Sequence, residues 1–311
     1  MLATACVACG ADQLGAPGLD EENRSLRTCA ACGTSETFPK PDPATLEGQY
    51  SEAYYGPDNV KFVPSVEAFV AWMTRKRAAR VHALIGRRGR ILEIGCGRGL
   101  LLRHLAQLGH ECHGIERSPL AARRAAQSKE LRVYTQPLEK CPFAEQYFDA
   151  VILWHVLEHL DHPQTTLAQI SRLLKPGGLL YLEVPNLSSL QSCSTSKNWF
   201  HLDLDHHLYH FSLNGLQRLL LSTGFKVEQT TTWSFEQGPY GVLQSWLNAT
   251  GMEHNKLYRI LKREISPTMS TKLGQLAIAG ILALPSLFFA LVESAIGRGG
   301  VLRVVARSGR N

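Results

Sequence analysis

Three groups of residues in this chain have types and spacings suited to chemistry. Cys6-Val-Ala-Cys9-Gly10 and Cys29-Ala-Ala-Cys32-Gly33 are matched knuckles with nineteen residues between them. Two residues between cysteines let both thiolates reach one tetrahedral ion, and the following glycine allows the turn. Cys6, Cys9, Cys29 and Cys32 are therefore expected to hold one zinc ion. Four thiolates leave no open coordination position, so that zinc is structural. The second group is Glu93-Ile-Gly95-Cys96-Gly97-Arg-Gly99, with Glu116 lying 21 residues after Gly95. Glycines there let a backbone approach a ligand, and an acid ending the next strand can accept both hydrogen bonds of a ribose diol. A nicotinamide site is the rival, but it spaces its glycines G-x-G-x-x-G. The third group is two histidine-rich segments, Trp154 to His162 and Trp199 to His210, which hold seven of the twelve histidines.

Alternating strand and helix patterns place these groups. Residues 65–86 have helical spacing, with Arg75, Lys76, Arg77 and Arg80 on the polar side. Short apolar strands are expected at 91–94, 112–115, 131–134, 150–154 and 179–184, and a β-branched one at 225–232. Helices are expected at 100–108, 119–127, 165–174 and 213–222, with Lys175-Pro176-Gly177-Gly178 as a terminator and turn. Residues 240–299 interrupt this pattern with helical, increasingly apolar sequence before a last strand at 301–305. The fold class is α/β, a doubly wound seven-stranded sheet with a small amino-terminal zinc ribbon and a carboxy-terminal helical insertion. The divisions are 1–40 for the ribbon, 41–64 for a linker and acceptor flap, 65–239 for the core, 240–299 for the insertion and 300–311 for the final strand and tail. Pro39 to Pro43 reads as the stiff part of the linker, and 49–60 as the flap.

In order along residues 65–232, Glu93-x-Gly95-x-Gly97-x-Gly99, Glu116, Phe148-Asp149, His155-Val-Leu-Glu158-His159 and Leu174-Lys-Pro-Gly-Gly178 resemble the class I S-adenosylmethionine-dependent methyltransferases. The resemblance implies that Glu93, Gly95, Cys96, Gly97, Gly99, Glu116, Arg117, Gln136, Leu138 and His155 bind S-adenosylmethionine. Gly95 and Gly97 would approach its methionine part, and Glu116 would hold its ribose. The family often places an acid near the adenine, where this chain has Gln136-Pro-Leu138-Glu139. Gln136 or backbone groups would take that contact.

Ligands of open α/β sheets bind beyond the carboxyl ends of the strands, where both histidine segments emerge. One reading makes His155 or His207 a general base for a hydroxyl acceptor. In a second, His155, Glu158 and His159 lie at i, i+3 and i+4 on a helical face and bind a divalent ion with a histidine from the later loop. Similar E-x-x-E-H clusters bind metal in ubiquinone-pathway and small-RNA methyltransferases. A third makes Glu158 and His159 structural.

Charge and hydropathy bound the partners. The net charge is +6, and residues 251–311, with nine Lys and Arg against three acids, carry all of it. The first forty residues hold five acids and three bases. An acidic ribbon disfavours nucleic acid, although zinc-ribbon rRNA guanine methyltransferases have a similar layout. A non-catalytic cofactor-binding scaffold is the other alternative. Residues 273–292 are uncharged, and Lys256, Arg259, Lys262, Arg263, Lys272 and Arg298 flank them. That pattern suits an interfacial segment on an anionic membrane, because the strand after it must return to the sheet. The first residues carry no basic and apolar leader, and paired knuckles suit a reducing compartment. The expectation is a cytoplasmic O-methyltransferase, peripheral on the inner membrane face, with a lipid-linked, glycan or natural-product acceptor.

Overall fold

Aliphatic runs bounded by glycine, proline and serine set the framework of the chain. The computed structural model describes residues 5–12, 14–15, 24–42, 60–266 and 268–309. In chain order the elements are β1 (Ser25–Thr28), β2 (Ser35–Phe38), α1 (Pro64–Ile85), β3 (Arg90–Ile94), α2 (Leu100–Gln107), β4 (Glu111–Ile115), α3 (Pro119–Ala125), β5 (Leu131–Tyr134) and β6 (Phe148–Trp154). There follow α4 (Pro163–Leu173), β7 (Leu174–Pro185), α5 (Leu190–Thr195), β8 (Tyr209–His210), α6 (Leu213–Ser222), β9 (Phe225–Thr231), α7 (Gly238–Ala249), α8 (Lys256–Leu261), α9 (Met269–Ala295) and β10 (Val301–Ser308). Proline opens α1, α3 and α4, and the Ser118, Ser189 and Ser212 side chains cap α3, α5 and α6.

Seven strands form one sheet in the order β5-β4-β3-β6-β7-β10-β9. The first five are mutually parallel, and β10 runs antiparallel to both neighbours. Ile91 and Leu92, adjacent on β3, enter different core clusters, as expected of a strand buried on both faces. The chain leaves β3 toward β4 and returns to β6 on the other side, so a crevice opens at the carboxyl ends of β3 and β6. The doubly wound seven-stranded fold is as expected.

One local expectation is corrected. Lys175 to Gly178 do not form a separate turn. β7 begins at Leu174, directly after α4, and these four residues bulge it between the Phe148–Leu174 and Ala150–Leu179 pairings. Pairing on both sides of the four residues absorbs them into the strand.

The cysteine hairpin joins the rest of the chain. β1 and β2 pair antiparallel, and β8, from the second histidine segment, adds a third strand beside β2. Cys6, Cys29 and Cys32 are buried in the same cluster as Leu157, Leu208 and Leu216. Within the linker, residues 43–59 lie outside the described residues, and so does all of the expected flap except Val60.

Helix α9 inverts the usual rule. Gln275, Ser286, Ala290 and Glu293 are its buried residues, whereas Leu273, Ile281, Leu284 and Phe288 are 59%, 74%, 76% and 71% exposed. It packs on α7, where Trp246 meets Phe289, and the buried Glu293 holds the backbone and side-chain amides of Gln191 on α5. By length and composition α9 is one helix able to cross a bilayer.

Candidate active site

At the end of β3 the chain turns through Gly95, Gly97 and Gly99, all with positive φ. At Gly95 (φ +72) a side chain is excluded twice over. The backbone is left-handed, and a Cβ would lie 2.5 Å from Val156 Cγ2. Glu116, buried at the end of β4, ties this turn to the next one. Its carboxylate accepts from the Gly97 N–H and the Ser118 N–H, each at 2.8 Å. Glu93 is buried beneath the turn, with Oε2 unpartnered among the described residues. Burial pushes its carboxyl up to about 8, against the pull of Arg77.

The other residues expected around a cofactor have more varied positions. Cys96 turns inward against Gly114, and burial pushes its thiol up, so it packs rather than reacts. Arg117 is exposed beside Glu116. The Gln136 amide donates to the Lys140 carbonyl at 2.7 Å, and Leu138 is buried in the short turn Leu138–Lys140.

On the far side of the crevice, His155 directly follows β6 in a left-handed conformation, φ 51. The helical face expected for His155, Glu158 and His159 is absent, because only the 3-10 turn Leu157–His159 follows. Both ring nitrogens of His155 face carboxylates. Its Nδ1 faces Glu158 Oε1 at 3.3 Å and its Nε2 faces Glu183 Oε1 at 3.2 Å. Burial alone would lower its pKa, but these two carboxylates hold it at about 10.

The residues brought together are Glu158, His159 and His207, whose donor atoms all lie within 4.8 Å of one another. Glu158 is 1% exposed, and the His155 hydrogen bond with the neighbouring histidines outweighs its burial and holds it at about 2. Glu158 Oε2 and His207 Nδ1 are buried and unpartnered among the described residues. His159 Nδ1 donates to the His206 carbonyl at 2.9 Å, leaving Nε2 with the lone pair. Burial and the neighbouring His159 push His207 down to about 4, so its ring is neutral at pH 7.

His207 is set in place by the cysteine hairpin. The Thr37 hydroxyl donates to the His207 carbonyl at 2.6 Å, the Thr37 N–H donates to the Leu208 carbonyl, and Leu208 N–H donates to the Glu158 carbonyl. In the hairpin itself, Cys6 Sγ and Cys32 Sγ are 3.6 Å apart, Cys9 Sγ and Cys29 Sγ 3.7 Å, and all four lie within 4.8 Å. The cleft in front of the histidines is lined by Phe62, Phe69, Phe200, His201, Tyr240 and Tyr258, among others.

Sequence reasoning missed Glu183 and Arg303. Glu183 is 0% exposed on β7, directly across from Arg303 on β10, and accepts from its guanidinium at 2.7 and 2.6 Å. The signal was a lone acid within the apolar run Leu179–Val184 of β7 and an arginine within the apolar run that opens β10.

A sequence model of the methyltransferase domain matches residues 69–230. The ubiquinone biosynthesis O-methyltransferase of Maricaulis maris (strain MCS10) is 31% identical over 180 residues, 52% of this chain and 69% of that protein. The protein of the same name from Glaesserella parasuis serovar 5 (strain SH0165) is 32% identical over 117 residues, 34% of this chain. There the chain spans about half of the relative's length, 49%. Among solved structures, the Burkholderia thailandensis 1,6-didemethyltoxoflavin-N1-methyltransferase superposes with a TM-score of 0.52 at 16% identity, covering 94% of this chain and 99% of that one. A putative sarcosine dimethylglycine methyltransferase from Galdieria sulphuraria gives 0.53 at 14% identity, covering 85% and 98%. At such identities the two structures establish the fold alone. With the domain match, the relatives' identity and the glycine turn in agreement, the chain belongs to the class I S-adenosylmethionine-dependent methyltransferases.

Proposed function

We propose that this chain methylates a hydroxyl group of a small or lipid-linked acceptor, using S-adenosylmethionine, at the cytoplasmic face of a membrane. The observation that carries the reading is the Glu158, His159 and His207 cluster, with its buried unpartnered atoms at the carboxyl edge of the sheet. The relatives' name, with its O-methyltransferase, supports oxygen as the acceptor atom.

When bound, S-adenosylmethionine supplies an electrophilic methyl group on a cationic sulfur. The residues present fit it. Gly97 has open space where a side chain would stand, and the Glu116 carboxylate, at the end of β4, is tied to the same turn through the Gly97 N–H. Positioning does most of the work in such a transfer. His207, in the wall of the cleft, accepts the hydroxyl proton on its neutral ring as the acceptor oxygen gains its methyl group. The same cluster favours a second reading. One carboxylate and two imidazoles are a donor set for a divalent ion, which when bound would lower the pKa of an acceptor hydroxyl.

Cys6, Cys9, Cys29 and Cys32 fit zinc. Four sulfurs about 2.3 Å from one ion stand about 3.8 Å apart in a tetrahedron, close to the 3.6 and 3.7 Å between paired sulfurs here. The exposed apolar face of α9, with Arg263 and Lys272 exposed near its start, supports attachment to an anionic membrane surface. Both ends of the insertion return to the core, through α7 and β10, which supports lying on the surface over crossing it.

The test incubates the protein with methyl-labelled S-adenosylmethionine and separate lipid, glycan and RNA fractions. Label in an ether of a lipid or small molecule is the expected result, and label in RNA overturns the reading. His207→Ala is expected to lower turnover about 100-fold with cofactor affinity unchanged. Loss of activity to a chelator, restored by magnesium or manganese, would replace the base by the divalent ion.

A further inference from the structure

The row of side chains behind Glu158 is built with more constraint than packing needs. β10 runs antiparallel to β7 with Arg303 opposite Glu183. The Arg303 guanidinium grips Glu183 Oε2 through Nε and Nη2, and the face of Trp154 lies 5.0 Å from it. Glu183 Oε1 is thereby turned to His155 Nε2, at 3.2 Å. The His155 N–H also donates to the Glu183 carbonyl, at 2.9 Å. Backbone and ring are thus both fixed at a residue whose left-handed conformation costs energy and persists only where its surroundings over-determine it. His155 Nδ1 then holds Glu158 Oε1 at 3.3 Å, and Glu158 Oε2 is left unpartnered among the described residues.

We infer that Glu183 and Arg303 are positioning residues, which clamp the His155 ring so that it presents one oxygen of Glu158 to His159 and His207. The physical reason is the shortness of the turn. Leu157–His159 is three residues of 3-10 helix and cannot orient a carboxylate by itself, so the orientation comes from the partner of its other oxygen. Three sheet strands supply that partner: β6 leads directly into His155, β7 carries Glu183 and β10 carries Arg303. The inference rests on the role proposed above for the Glu158, His159 and His207 cluster.

The experiment compares parent, Glu183→Gln, Arg303→Met and Arg303→Lys as full-length, zinc-loaded protein. S-adenosylmethionine binding serves as the folding check, since Glu93 and Glu116 lie on other strands. Crystal structures are expected to show the Glu158 carboxylate turned from its place in Glu183→Gln and Arg303→Met but not in Arg303→Lys. Manganese affinity, read by electron paramagnetic resonance, is expected to fall about 10-fold in the first two and to recover in the third. If the parent binds no manganese, the divalent-ion reading falls, and the position of Glu158 alone decides the inference. A Glu158 carboxylate unmoved in both disruptive variants overturns it. So does one that moves while leaving the parent's manganese affinity intact.

Discussion

The two walls of the crevice are built in opposite ways. The wall at β3 and β4 takes its groups from one stretch, Glu93 to Ser118, in which a glycine turn and a carboxylate secure each other by backbone hydrogen bonds. The wall at β6 and β7 gathers His155 and Glu158, Glu183, His207 and Arg303, and needs Thr37 of the cysteine hairpin to hold the His207 backbone. The first wall is local and rests on backbone geometry. The second is a set of buried charges that only long-range packing brings together. It follows that damage to distant elements should reach the second wall and spare the first.

The strongest way to break that contrast is to remove the four cysteines. Elemental analysis is expected to find one zinc per chain, and changing Cys6, Cys9, Cys29 and Cys32 to Ser is expected to eliminate it. A structural zinc contributes on the order of 10 kcal/mol to a small domain, so β1 and β2 should lose protection from hydrogen exchange. The His207 loop, paired through β8, should lose protection with them, while S-adenosylmethionine affinity stays near that of the parent. Equal loss of cofactor binding would show that the walls are not independent.

Glu116→Ala attacks the other wall. It is expected to weaken S-adenosylmethionine binding by about 2 kcal/mol, the range for hydrogen bonds to a charged group, with zinc content unchanged. Calorimetry giving parent-like affinity would remove Glu116 from the ribose. The smallest effect concerns α9. Co-sedimentation with anionic liposomes should weaken as salt rises, and Arg263→Glu with Lys272→Glu should each reduce it by about 1 kcal/mol. Binding indifferent to salt, lipid charge and both substitutions would leave only apolar insertion, and no binding at all would return α9 to a subunit interface.

The local wall was legible because its signals are local. Glycines with positive φ, an apolar strand and an acid one strand later are each set by nearby residues. The same holds for the helix starts at Pro119 and Leu213, where proline or serine fixes the first turn. The acceptor wall was legible only as a list of histidines. A helical face was expected for His155, Glu158 and His159, yet the left-handed turn at His155 breaks that periodicity. Nothing nearby in sequence places Glu183 against the second nitrogen of His155.

Local residue patterns were enough to set the seven strands, the glycine turn with Glu116, and the matched knuckles, because strand period, left-handed glycine and two-residue thiolate spacing act over a few residues. Only the tertiary structure decided that Glu158, His159 and His207 converge, that Arg303 and Glu183 stand behind His155, and that α9 buries Gln275 and Glu293 while exposing its leucines. Those outcomes depend on which strands become neighbours and which face of a helix finds a partner. β10 enters the sheet between β7 and β9 from the end of the chain, and its register puts Arg303 opposite Glu183. A contact between residues 120 positions apart leaves no periodicity along the chain to read.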